Sequence, residues 1–233
     1  DVDQPALVLD PARPLAERMP APPRQPSLAL TLTVDRARPT EAEARLVLRN
    51  GLLHGLLAAL RQPRSPRWAP WLQLALQASL PDVRLSGLTL VTVEPDHAAV
   101  TARASLGRVV LPVGDRLLVR ALPLPVCSER VLSRQADGDP MVVPLAPDVE
   151  LRLHVRGPGL RLAGGPVGRL DVPEVLGVET SVRSDPTGVT VRWRSRQVRR
   201  YLEGVPRRDY VYTCARLLAR SREYLTLAPG VAP

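Results

Sequence analysis

The residues able to do chemistry are few: His54, His97 and His154, Cys127 and Cys214, an Asp137/Asp139 pair, and an arginine-rich run around Trp193. Metal ligation needs His, Cys or carboxylate donors at short, regular spacing. None of the three histidines has a His, Cys or Asp at such spacing: His54 falls in a helical pattern, His97 in a turn, and His154 at an outward strand position. Nucleophilic catalysis needs a Ser or Cys on a constrained turn with a base in reach. The chain has no Gly-x-Ser-x-Gly, no Cys–His signature and no glycine-rich phosphate loop, and Gly157-Pro158-Gly159 lacks the dinucleotide spacing. Asp137 and Asp139, flanked by Gly138 and Pro140, read as an exposed turn. No catalytic residue, metal or cofactor is expected, and the protein is read as a non-enzyme.

Binding chemistry has more to rest on. Residues 183–222 carry eleven Arg against Asp185, Glu203 and Asp209, a net of +8 in a chain whose total is +9. Such asymmetry suits an anionic partner, whether an acidic protein face, a membrane surface or a nucleic acid, and it equally suits a solvated face. The candidate patch is Arg192, Arg194, Arg196, Arg199, Arg200, Arg207 and Arg208. Arginine beside an aromatic ring is also the dress of single-strand nucleic-acid binders. On a strand, however, Trp193 shares a face with Val189 and Val191, which makes it a core residue while the arginines point out.

The 32 basic residues are all Arg, with no Ile and no Phe, and Ala, Gly and Pro are abundant. This skew follows from GC-rich codon usage, so arginine in place of lysine has no functional weight. The core must be aliphatic. No apolar run approaches the roughly 18 residues of a membrane-spanning helix. A start at Asp1-Val2-Asp3 leaves a secreted or periplasmic origin open, and extracytoplasmic localisation is favoured over cytoplasmic. Cys127 and Cys214 could close one long loop by a disulfide in such a compartment, or could be two buried thiols.

The elements that must position these residues follow from periodicity. Seven Pro in residues 1–27 predict an extended arm, with Leu7, Val8 and Leu9 as its anchor. A single α+β domain is expected over 28–233, with a subdivision point near 136–147. Leu28, Leu30, Leu32 and Val34 alternate as a half-buried strand. Thr40 and Glu43 resemble a capping box before Leu48, Leu52, Leu56 and Leu60, predicting a helix near 41–61 that could begin only at Asn50. Its Gly51 and Gly55 imply either a close packing contact that tolerates them or a locally loose helix. Pro70 opens a second helix over 70–79, and Asp209 caps a third over 209–224. Between them a β-meander runs from Val83 to Ala121, a one-sided strand spans Val149–Val155, and Val178–Arg183 pairs with Val189–Arg194 across Asp185-Pro186-Thr187-Gly188. The predicted class is α+β: mainly antiparallel curved sheet with two or three helices.

The strand–turn–strand phrasing of Val83–Val100, repeated at Val178–Val191, resembles that of bacterial lipid-binding proteins of the tubular lipid-binding superfamily, over about half the chain. The resemblance implies a curved antiparallel sheet wrapped on a long helix, with acyl chains between. Leu48, Leu52, Leu53, Leu56, Leu57, Leu60 and Trp71 would line that groove, and the Arg-rich end would meet anionic headgroups. Pro63, Pro66 and Pro70 interrupt the obvious long helix, which departs from the family pattern. The first expectation is therefore binding of a lipid or other amphiphile. The second is a structural or assembly module that docks an acidic protein through 183–222, and the third is nucleic-acid binding.

Overall fold

Alternating aliphatic residues build the centre of the molecule. In this computed structural model, which describes residues 25–61, 68–124, 126–127, 141–143, 148–173, 175–198 and 200–230, Leu28–Asp35 forms strand β1. It pairs antiparallel with β2 (Glu41–Leu48) and parallel with β8 (Val149–Arg156). Beyond β2 lie β4 (Ala98–Ser105) and β3 (Arg84–Val93). Beyond β8 lie β12 (Gly188–Gln197), β11 (Leu176–Asp185) and β10 (Gly168–Val172). The result is an eight-stranded sheet, and apart from the β1–β8 pair its ladders are antiparallel.

One face of this sheet is the core. Leu30, Leu32, Leu46, Val100, Leu151, Leu153, Val191 and Trp193 are fully buried on it, each Leu or Val contributing about 1.5–3 kcal/mol by leaving water. A second layer covers that face. It consists of a four-stranded sheet of β5 (Val110–Val113), β6 (Arg116–Arg120), β14 (Tyr224–Pro229) and β9 (Leu160–Gly164), with helices α1 (Asn50–Leu60), α2 (Trp68–Ser79) and α3 (Gly204–Arg220). A short pair joins β13 (Arg200–Leu202) to β7 (Met141–Val143). Leu53, Leu56, Leu72, Leu117, Leu217 and Leu225 share one hydrophobic core with the sheet. The Ala121 carbonyl, just past β6, accepts hydrogen bonds from Trp193 Nε1 at 2.8 Å and Thr180 Oγ1 at 3.2 Å, a polar tie across the apolar seam.

The α+β class and the mainly antiparallel sheet are as expected, but two helix ranges are corrected. Residues 41–48 are strand β2: Ala42, Ala44, Leu46 and Leu48 are buried while Glu41, Glu43 and Arg45 are exposed. Period two wins over period four there because β1 and β4 offer a ladder on both sides. The Thr40 capping box does not form. The helix starts after Arg49, whose backbone is extended and whose side chain makes no cap, with Asn50 left-handed at φ 53°. The third helix runs from Gly204, with Pro206 in its first turn as proline prefers. Asp209 is therefore inside α3, and Tyr224 belongs to β14, where Leu225 and Leu227 are buried between β6 and β9.

Other readings hold. The β11–β12 hairpin closes where expected, with Asp185 Oδ1 accepting the Thr187 and Gly188 amides at 2.8 and 3.2 Å. A Cβ at Gly188 would collide with the Val155 carbonyl oxygen of β8, so the turn and the sheet centre are locked together. Of the two helix glycines, Gly55 is a contact point, since a Cβ there would run into the Trp71 ring of α2, whereas a Cβ at Gly51 would meet nothing. The arm up to residue 24, Pro63, Pro66 and Asp137–Pro140 lie outside the described residues.

Cys127 and Cys214 form a disulfide with Cα atoms 5.5 Å apart, tying the segment after β6 to α3 across 87 positions of sequence. Closing so long a loop restricts the unfolded chain. Reduction, or the pair Cys127→Ser and Cys214→Ser, is expected to lower the unfolding free energy by about 2–4 kcal/mol. Denaturant titration with and without reductant measures it, and coincident curves would show that the bond leaves stability unchanged.

Candidate functional site

The outward face of the eight-stranded sheet gathers charge from strands far apart in sequence. Register places Ser181, Arg192, Arg152, Thr31, Arg45 and Thr101 in one row across six strands. The neighbouring row holds Arg169, Glu179, Arg194, Glu150, Ala29 and Val47. Thr31, Arg192 and Arg194 are half-buried, and Arg45 and Arg152 are exposed, so the face reaches solvent.

Its fixed point is Glu150. Arg152 and Arg192 stand directly opposite each other on β8 and β12, an arrangement of like charges that is unfavourable by itself. Glu150 resolves it. The Arg192 guanidinium donates to Oε2 at 2.7 Å, and Arg152 donates to Oε1 through Nε at 2.6 Å and through its terminal nitrogen at 2.5 Å. The Glu150 side chain is 6% exposed, against 53% for Arg152 and 40% for Arg192. Burial alone would push the Glu150 carboxyl up, but the hydrogen bonds from Arg192 and Arg152 outweigh it and hold the group below the ordinary carboxylate range. The Glu150 hydrogen bond in turn raises Arg192 further above its ordinary value. Two guanidiniums are thus held in place with much of their surface in water, the pre-ordering that planar, bidentate recognition of carboxylates or phosphates requires. Beside Glu150 a depression of about 400 Å³ is lined by Gln25, Thr31, Arg45, Arg49 and Arg152.

The arginine patch read from sequence is divided by the fold. Arg192, Arg194 and Arg196 lie on this outward face of β12. Arg207 and Arg208 sit in the first turns of α3, whose Tyr210, Val211, Cys214 and Leu217 pack into the core on the opposite side of the sheet. Arg207 is buried there, and Arg208 is exposed. Arg200 opens β13, and Arg199 lies outside the described residues. The groove candidates do come together, but inside: Leu48, Leu53 and Leu56 are buried, and Leu52, Leu57, Leu60 and Trp71 pack against the same core. Trp193 is a core residue, as its strand position implies.

Sequence reasoning missed Glu150, Arg152, Arg45 and Arg49 as members of the site. The alternation of residues 149–156 was visible, but the pairing of Arg152 with Arg192 is a register between segments 40 positions apart. Of the histidines, His154 Nδ1 lies 3.0 Å from Thr190 Oγ1. In the β3–β4 turn the donor atoms of Glu94, Asp96 and His97 lie within 4.8 Å of one another, a proximity the sequence reading had not anticipated. The hydrogen bond to His97 lowers the Asp96 carboxyl.

In comparisons with known proteins, no protein-family model and no curated protein matches this chain. The chain has an α+β fold whose large sheet presents two fixed guanidiniums, those of Arg152 and Arg192, on its outward face.

Glu150→Gln is expected to destabilise the protein by about 1–3 kcal/mol near neutral pH, since the charge-assisted contacts from both Arg152 and Arg192 lose their anion. Because the folded carboxyl is depressed, its contribution is present above the unfolded value near 4.5. It is lost as pH falls through the folded value. The wild-type advantage over Glu150→Gln, read by thermal melts from pH 7 to about pH 3, should therefore shrink on acidification. A difference that is flat with pH would remove Glu150 from that role.

Proposed function

We propose that this protein is a non-enzymatic docking module of an extracytoplasmic compartment, binding an acidic protein surface through the outward face of its eight-stranded sheet. The observation that supports it most is the buried Glu150 carboxylate holding Arg152 and Arg192 opposite one another at the solvent boundary. Arg45, Arg49, Arg194 and Arg196 surround that pair, against Glu179 as the nearest further acid across the strands. Threonine and alanine between them, at Thr31 and Ala29, leave the row low and accessible. The Cys127–Cys214 bond suits an oxidising compartment.

An acidic protein is preferred to nucleic acid because Glu41, Glu43 and Asp35 interrupt the positive field toward the β1–β2 turn. A polyanion needs a longer unbroken stripe. Amphiphile binding is the second reading, favoured by the gathering of Leu48, Leu52, Leu53, Leu56, Leu57, Leu60 and Trp71 between α1, α2 and the sheet. It requires that this packed seam open to admit a chain.

Titration with poly-L-glutamate tests the first reading. The triple change Arg45→Gln, Arg194→Gln and Arg196→Gln should weaken binding about tenfold or more and flatten its dependence on salt. Arg208→Gln with Arg216→Gln, on the other layer, should leave it nearly unchanged. Equal loss from both sets, or loss only from the second, would contradict the proposal. A duplex DNA bound more tightly than poly-L-glutamate would favour nucleic acid. Native mass spectrometry decides the amphiphile reading: a stoichiometric lipid supports it, and a clean apo mass after exposure to lipid mixtures removes it.

A further inference from the structure

Between Arg84 and Glu94 the edge strand β3 carries neither a charge nor a proline. It ends the strand order, with β4 on one side and no partner on the other among the described residues. Natural edges are blunted with charge or proline because unpaired backbone groups invite another strand. From Leu85 to Val93 the chain reads Leu-Ser-Gly-Leu-Thr-Leu-Val-Thr-Val, with neither. Val91 and Val93 are 56% and 43% exposed, and Leu88 and Leu90 are half-buried. The opposite edge is different: β10 carries Arg169 and Asp171, and the Arg220 side chain of α3 donates to its Gly168 carbonyl at 3.2 Å.

The pattern of β3 is self-complementary. Antiparallel pairing with a second copy about a two-fold axis at Thr89 sets Thr89 against Thr89, Leu88 against Leu90 and Leu85 against Val93. The same register places Arg84 opposite Glu94, the charges that bracket the apolar run, and both are exposed. Two irregularities in the pairing with β4, between Ser86 and Thr89 and between Leu90 and Thr92, fall on either side of Thr89. The two-fold sets one against the other. We infer that the protein forms a symmetric dimer through β3, joining two eight-stranded sheets edge to edge. An interface of this kind is isologous, the same patch on both subunits, and its main-chain hydrogen bonds are those of strand addition. Because the axis is perpendicular to the sheet, the outward faces of both copies lie on the same side. The dimer doubles the arginine face and allows bivalent engagement, although the pairing itself does not depend on what that face binds.

Sedimentation equilibrium of the full chain, run up to about 100 µM, reads the dimer and its dissociation constant. Thr89→Lys places two like charges against each other on the axis and should abolish it, with circular dichroism as the check that the exposed substitution leaves the fold intact. Arg84→Glu and Glu94→Arg should each weaken association about tenfold, and the two together should restore it. A wild-type monomer at the highest concentration overturns the inference. So does a dimer indifferent to Thr89→Lys, and single charge changes without effect overturn the Thr89-centred register on which it rests.

Discussion

The parallel ladder between β1 and β8 is the constraint from which the rest of the large sheet takes its place. It joins Leu28–Asp35 to Val149–Arg156, residues about 120 positions apart, and every other strand is added outward from that pair. Because side chains alternate with period two, fixing Leu30 beside Leu151 also fixes Thr31 beside Arg152 on the other face. A slip of one residue would bury Arg152 and expose Leu151. The aliphatic core therefore specifies the charged face, and the cost of an incorrect register is paid in leucine burial.

Glu150 is where the two faces meet. A carboxylate that is nearly dry yet fully engaged by two guanidiniums is stable only in the arrangement that the ladder enforces. Loss of the anion would leave Arg152 and Arg192 opposed without mediation. The disulfide and the Trp193–Ala121 tie act elsewhere, holding the second layer against the inner face of the sheet.

Much of the fold was legible in the sequence. The alternation of β1, β8, β11 and β12, the Asp185–Gly188 turn, the core position of Trp193 and the second helix follow from local pattern and turn chemistry. Residues 41–48 misled because alanine and leucine suit helix and strand alike, and only the neighbours β1 and β4 decide between them. The third helix began early because Pro206 suits a first turn as well as Asp209 suits a cap. The site was less legible. Charge clustering along residues 183–222 took in the outward arginines of β12, but it also included Arg207 and Arg208, which the chain carries to the opposite layer. The residues that complete the face, Arg45, Arg49, Glu150 and Arg152, come from two other strands and a strand–helix junction, and no local signal connects them.

The most direct test of the outward sheet face as the partner surface is side-chain mapping by nuclear magnetic resonance. The Arg Nε–Hε and backbone signals of the labelled protein would be followed while poly-L-glutamate is added. Perturbations centred on Arg45, Arg152, Arg192 and Arg194, extending to Thr31 and Thr190, are the expected result. Perturbations confined to Arg208, Tyr212 and Arg216 on α3, or to the α1–α2 pair, would contradict it.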